Sequence, residues 1–382
     1  MDNISRQKAM NKRLKPKRKM GSFDFTLLFV IVLLLLFGIV MVFSASYYFT
    51  LTSAKFGNDP YYFVKRQIIW ALAGIVGMTI MMNFPYRYLR KFTLPAYIFT
   101  IICLVLVLIV GEEINGSKRW LGIGPIGFQP SEVAKIVVIL YLSHFIASHK
   151  GILGTLKGFG ICCGILGLPV ALIGMSNMST ALVVGGIGAA IMFVASPRIW
   201  YFVVGGVAAA GGVAAMLFLP QFAYRMDRIK YWLDPFSDPT GGGFQIVQGL
   251  YAVASGGIFG LGLGQSRQKT YIPEPYNDMI FTIICEELGF VGAVIVILLF
   301  VILVWRGIKI AIDAEDFFGS LVATGISAFI AIQVVVNISV ATNLFPNTGM
   351  ALPFISYGGS ALVFTLGSMG ILLNISRFGI NR

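Results

Sequence analysis

Long apolar stretches separated by short polar ones recur along almost the whole chain, from Phe25 to Ile375. A helix satisfies its own backbone hydrogen bonds and needs about 20 mostly apolar residues to cross a bilayer. On that template the pattern predicts about ten helices: Asp24 to Ser46, Gln67 to Phe84, Phe92 to Val110, Ser131 to Ala147, Phe159 to Gly174, Ser179 to Ala195, Trp200 to Leu219, Asp278 to Trp305, Phe318 to Ala341 and Ser356 to Leu373. A barrel would instead show short alternating strands. The expected fold is an all-α, polytopic integral membrane protein whose even number of spans returns both termini to one side.

The polar intervals set the orientation. Short loops on the side of the termini carry Arg87, Arg90 and Lys91, then Lys150 and Lys157, then Arg198, then Arg306 and Lys309, the bias that marks cytoplasmic loops. Both termini are therefore expected inside, in a plasma membrane. The longest connection, Pro220 to Asn277, falls outside, between helices seven and eight, with five basic and four acidic residues. Connections of that length are usually functional or disordered. Its apolar patch, Ile246 to Ala254, predicts that part of it folds against the membrane surface.

Composition excludes an ordinary soluble globule: 57% of the 382 residues are hydrophobic and 12% charged, against about 25% charged in an average soluble domain. The net charge of +13 resembles a nucleic-acid footprint until its distribution is read. Residues 1–20 hold eight basic side chains and one acid, Asp2, so this tail alone supplies +7. Placed just before a long apolar run, it suits anionic lipid rather than nucleic acid. That run is too long for a signal-peptide core and is expected to stay as a helix. Residues 21–382 then read as one membrane domain. Cys103, Cys162, Cys163 and Cys285 fall inside predicted spans without ligand spacing, so neither a disulfide nor a metal site is assigned.

Four clusters could carry chemistry. In the first, Lys118, Arg119 and Trp120 precede Pro130, Ser131, Glu132 and Lys135. Glu132 and Lys135 suit a helix start with a local ion pair, and the basic pair suits either interfacial anchoring or a phosphate. The second is the glycine-rich stretch from Gly256 to Gly264, leading to Arg267 and Lys269. It lacks the strand–loop–helix context of a nucleotide loop, leaving backbone flexibility or a phosphate contact from Arg267 or Lys269. The third runs from Glu274 through Asp278, placed where a helix N-cap would be, to Glu286 and Glu287 at membrane depth, where ionisable groups face a bundle interior or a cavity. The fourth, Phe345 to Ser360, is dense in proline and glycine and contains Ser356. It is either a simple outer loop or an interrupted helix against protein.

Together, GSKRWL, FQPSEVAK, DPTGGGFQIVQGLYAVASGGIFGLGLGQSRQK, NDMIFTIICEELGFVG and PNTGMALPFISYGGSALV resemble the SEDS family of cell-wall polymerases (FtsW, RodA, SpoVE). LGQSRQK and the unbroken Trp305 to Asp313 turn look like the FtsW/SpoVE branch. The resemblance implies a ten-helix glycosyltransferase that polymerises lipid II into glycan strands beside a class B penicillin-binding protein, a transpeptidase, with other divisome or sporulation proteins as further partners. The family's essential aspartate falls on Asp278, implying the catalytic base, and its tryptophan after a basic pair falls on Trp120. Asn277 and Met279 flank the acid where the family usually reads Thr-Asp-Phe, and Asn177 stands near a position usually acidic.

On this reading Lys118, Arg119, Trp120, Arg267, Lys269, Glu274 and Ser356 are expected to bind substrate, with Glu132, Lys135, Glu286 and Glu287 structural. A diphosphate leaving group asks for one base and positive charge. No cofactor is required, though a divalent cation such as magnesium or manganese could assist the diphosphate. The competing class is a transporter flipping lipid II. It is disfavoured because no internal repeat is evident and because the ionisable candidates cluster toward the outer face rather than the midplane.

Overall fold

The computed structural model describes residues 21–114, 117–123, 126–217 and 223–379, so the basic tail lies outside the described residues. Among them are twelve α-helices: α1 Phe25–Thr52, α2 Tyr62–Asn83, α3 Thr93–Val110, α4 Pro130–Ser148, α5 Leu156–Ser176, α6 Met178–Ala195, α7 Trp200–Leu217, α8 Ala223–Leu233, α9 Phe244–Ser255, α10 Ile280–Asp313, α11 Phe317–Ala341 and α12 Gly359–Ser376. Nine are long and apolar enough to cross a membrane, and α7 occupies the seventh predicted span. Helices α8 and α9 belong to the long connection. The apolar patch of α9 is buried at Ile246, Val247 and Ala252, against α10.

The helices overrun several expected ends. Helix α1 continues six residues past Ser46 to Thr52, and α2 begins five residues before Gln67, because aromatic residues such as Tyr47, Tyr48 and Tyr62 extend a helix comfortably through the interface. The largest departure from an all-helical chain is a small antiparallel meander, β1 Glu112–Ile114, β2 Ser117–Ile123 and β3 Ile126–Phe128, paired in the order β1-β2-β3. Trp120 faces Glu112 across one ladder and Leu121 faces Phe128 across the other. Strands this short leave too little alternation to separate them from a polar loop.

Helix α10 is the element that builds the site. Its 34 residues would run about 51 Å at 1.5 Å per residue, well beyond the hydrocarbon thickness of about 30 Å. It breaks at Gly289, whose φ of 65° is left-handed. The outer piece, Ile280 to Glu287, is buried throughout within protein. Past the break, Phe290, Ile295, Leu298, Val301 and Trp305 form an exposed stripe suited to lipid.

The break frees backbone groups that the glycine-rich stretch satisfies. Leu261 and Gly262 donate N–H to the carbonyls of Glu286 and Glu287, at 2.9 Å each, while Phe290 and Val291 donate to the carbonyls of Gly257 and Ile258 at 2.9 and 3.1 Å. This needs backbone against backbone. A Cβ at Gly260 would lie 2.2 Å from the Glu287 carbonyl oxygen, and one at Gly289 would lie 2.3 Å from the Gly260 nitrogen. Gly260 and Gly289 therefore serve close approach, not flexibility.

At the opposite end of the bundle the described termini meet. Gly21 N–H donates to the Arg377 carbonyl at 3.1 Å, and buried Asp24 caps α1 and pairs with Arg306. Arg90 pairs with Asp316, the N-cap of α11.

Candidate active site

The segment from Thr342 to Gly358 is non-helical and threads between helices. Carbonyls in its buried part need donors. Side-chain amides from the neighbouring spans supply them: Asn337 to the Met350 carbonyl at 2.7 Å, Gln333 to that of Ala351 at 2.8 Å, and Gln67 to that of Ser356 at 3.3 Å. Close approach to α1 adds to this, since a Cβ at Gly38 would fall 2.3 Å from the Phe354 carbonyl oxygen. From Met350 to Ser356 the segment is thus part of the protein interior and not a simple outer loop, while Leu344 and Phe345 stay exposed.

The same contacts fix the entry to α10. Ser356 Oγ donates to the Asn277 carbonyl at 2.6 Å and accepts from Leu352 N–H at 2.7 Å. Tyr357 N–H donates to the Tyr276 carbonyl at 2.9 Å, and Asn337 makes a second bond, 2.8 Å, to the carbonyl of Asp278. Asp278 is held by its backbone, leaving its carboxylate to the space beside it. It does not cap α10: the cap position is Met279, with no side-chain cap bond.

That space is a cavity of about 750 Å³ between the outer parts of α4, α6 and α11, the meander, α8 and the Thr342–Gly358 segment. Asp278 is half-buried on its wall. The carboxyl is pushed up to about 6, chiefly by desolvation and further by the nearby Glu274 charge, against the lowering effect of Arg228 and of the Asp278 and Met279 backbone amides. Such a group is ionised at neutral pH yet basic enough to accept a proton, the balance that a general base requires. Facing the same cavity, Lys135 pairs with Glu132 at 2.8 Å and lies 3.4 Å from Gln333 Oε1, all three largely buried.

The expected site residues divide. Arg119, Trp120, Glu132, Lys135, Glu274 and Asp278 line the cavity, and the backbone of Asn277 tethers Ser356 just behind its wall. The side chain of Lys118 lies outside the described residues. Lys269 is placed elsewhere: 8% exposed, it bonds the Gly264 carbonyl at 2.7 Å and Glu287 at 3.1 Å. Arg267 is exposed but off the cavity lining, and its backbone N–H donates to Glu286 at 3.1 Å. The expected substrate contact of Lys269 is therefore corrected, because Glu287, fully buried, takes its ammonium.

Glu286 and Glu287 anchor the loop. Glu286 accepts from Ser266 Oγ at 2.5 Å and from the Arg267 and Gln268 amides, while Glu287 accepts from Ser44 Oγ at 2.6 Å, Ser266 N–H and Lys269. Arg228 and Gln245, which sequence reading missed, also line the cavity, as do Asn347 and Tyr357, which it took in only as members of the Phe345 to Ser360 cluster. Arg228 sits in α8, among loop charges that nearly cancel. Gln333 and Asn337 carried a readable signal, as two amides one turn apart in an otherwise apolar span.

Comparison with known proteins agrees in extent and fold. The family model described as "Cell cycle protein", covering FtsW, RodA and SpoVE, matches residues 25–380. Stage V sporulation protein E of Bacillus subtilis (strain 168) is 44% identical over 94% of this chain and 98% of its own length. The probable peptidoglycan glycosyltransferase FtsW of Geobacter sp. (strain M18) is 39% identical over 94% of this chain and 98% of its own length. A chain from a peptidoglycan synthase complex that coordinates polymerization and crosslinking superposes with a TM-score of 0.78 at 28% identity, covering 94% of this chain and 99% of that one. The cavity-bearing bundle described above thus belongs to the FtsW/RodA/SpoVE family.

Proposed function

We propose that this protein is a peptidoglycan glycosyltransferase of the membrane, polymerising lipid II into glycan strands with Asp278 as general base. The observation that carries the reading is the environment of Asp278: desolvated, on a cavity wall, and neither capping a helix nor hydrogen-bonded by another side chain among the described residues. In the reaction, the acceptor's 4-hydroxyl attacks the donor's anomeric carbon as Asp278 takes the hydroxyl proton. The new C–O bond forms, the bond to the diphosphate breaks, and its electron pair leaves on the diphosphate oxygen. One in-line displacement inverts an α-linked donor to a β-linked product, so no covalent enzyme intermediate is needed. Positive charge for the leaving group comes from Arg119 and Arg228, on the same lining. A magnesium or manganese ion carried in on the diphosphate would find the Glu274 carboxylate there.

The positive charge of the short loops supports cytoplasmic termini, an orientation in which the cavity lies toward the outer face, where lipid-linked sugars are joined. The contact of Gly21 with Arg377 at the other end of the bundle is consistent with both ends lying on one side. The likeness to a synthase complex supports a class B penicillin-binding protein as partner, with further division or sporulation proteins around it.

Purified protein given lipid II in detergent tests the reading. Glycan polymer is the expected product. A protein that makes none in detergent, yet moves lipid II across a sealed bilayer, would be a transporter instead.

A further inference from the structure

Two contacts between α1 and α10 mark two levels of the bundle. Near the described termini Arg306 Nε donates to Asp24 at 3.0 Å, and toward the cavity Ser44 Oγ donates to Glu287 at 2.6 Å. Ser44 stands 20 residues after Asp24 on α1, and Glu287 stands 19 residues before Arg306 on α10. At 1.5 Å per residue each interval is about 30 Å, the thickness of the hydrocarbon layer. Neither helix carries a charged residue between the two contacts, so Glu287 marks the hydrocarbon edge on the cavity side. The turn after α9 reaches past that edge. The carbonyls of Gly257 and Ile258 accept from Phe290 and Val291, about one helical turn, or 5 Å, deeper than Glu287. Its outward side chains are apolar: Ile258, Phe259, Leu261 and Leu263 are 64%, 80%, 39% and 54% exposed, and they adjoin Phe290, 68% exposed, at the head of the α10 stripe. No charged residue occurs from Pro239 to Ser266; exposed Arg267 and Tyr271 follow. The backbone of the turn faces α10 and itself, since the amides of Gly260, Leu261 and Gly262 donate to the carbonyls of Gly256, Glu286 and Glu287. The polar groups that hydrocarbon would penalise are thus turned to protein while the side chains point out.

We propose that residues 258–263 form an apolar tip immersed about 5 Å in the acyl chains of the leaflet nearer the cavity, with Arg267 and Tyr271 at the headgroup level above it, where cationic and aromatic side chains are favoured. Lipid, and not a protein partner, is the occupant these observations favour. The tip continues the lipid-facing stripe of α10, it lies just inside a hydrocarbon edge counted separately on two helices, and it offers a partner no charged side chain to pair with. The outer piece of α10, Ile280 to Glu287, rises about 10 Å from that edge. An immersed tip would therefore hold the cavity and Asp278 at a fixed height over the acyl chains, whichever reaction the cavity performs.

Nitroxide labels on the full-length protein in phosphatidylcholine liposomes test the depth. The labelled variants are Phe259→Cys, Leu298→Cys on the lipid-facing stripe and Thr240→Cys, exposed in the same connection as the tip. Each also carries Cys163→Ala, which removes the exposed native thiol. Collision of the label with oxygen, which concentrates in hydrocarbon, is compared with collision with a nickel chelate, which stays in water. Position 259 should favour oxygen by about threefold or more, as position 298 does, while position 240 favours nickel. A label at 259 that behaves like the one at 240 would put the tip in water and overturn the proposal. Low collision with both reagents at 259 would show that protein covers the tip, whether a second copy or a co-purified partner, and would overturn it too. Should Phe259→Cys fail to fold, Leu263→Cys read in the same way decides.

Discussion

Two groups of carboxylates on the same stretch of chain, about two turns apart, are treated in opposite ways. Glu286 and Glu287 are 0% exposed, and between them they receive hydroxyls from Ser44, Ser255 and Ser266, backbone amides from Ser266, Arg267 and Gln268, and the Lys269 ammonium. Asp278 is held only through its backbone, with its carboxylate turned to a cavity and approached by the amides of Asp278 and Met279. Burial raises the cost of charge in both places. Only the first pair is compensated by a full set of donors, which makes it a fastener; the second keeps proton affinity to spend on a substrate.

Breaking the fastener should have the largest effect on stability. Lys269→Met leaves Glu287 buried without its cation, a change that costs about 3–5 kcal/mol when one partner of a buried pair is removed, equivalent to roughly 10² or more in the folding equilibrium. The loss should appear as a lowered melting temperature in detergent and as faster hydrogen exchange in Gly256 to Thr270. Arg228→Ala, an exposed cation, should leave melting nearly unchanged.

The cavity carboxylate should show itself through pH. With the Asp278 carboxyl pushed up to about 6, the proton-accepting form predominates above that pH and is lost below it. Polymerisation should therefore be flat near neutrality and fall about tenfold for each pH unit below 6, reading the base alone. A profile flat down to pH 4.5 would remove Asp278 from that role.

The smallest effect sharpens the same point by direction. Arg228 lowers the Asp278 carboxyl and Glu274 raises it. Glu274→Gln should therefore move the acid limb to lower pH, and Arg228→Ala should move it to higher pH, each by a fraction of a unit. Shifts of the same sign would contradict the effect assigned to at least one of the two charges.

Much of this was legible in the residues. Span-length apolar runs mark the nine candidate membrane-crossing helices among the described residues, with α7 in the place of a tenth, and the residues alone point to Asp278, Arg119 and Trp120. What stayed hidden depends on contacts made far along the chain. Nothing in Lys269 itself says that Glu287 will take its charge, and the glycines at Gly256 to Gly264 read as flexible until the break at Gly289 shows which amides they must meet. Arg228 was lost among balanced loop charges, because cavity lining is a property of the folded chain. The meander was missed because its strands of three and seven residues carry too short a period to stand out.

The central claim is that Asp278 is a base and Glu287 a fastener, and one paired measurement tests it: melting temperature, lipid II affinity and initial polymerisation rate for Asp278→Asn beside Glu287→Gln. The amide at 278 keeps the shape and removes the proton affinity. It should leave melting and affinity as in wild type while slowing polymerisation by about 10² or more, whereas Glu287→Gln should chiefly lower the melting temperature. Polymer made by Asp278→Asn at close to the wild-type rate would contradict the account.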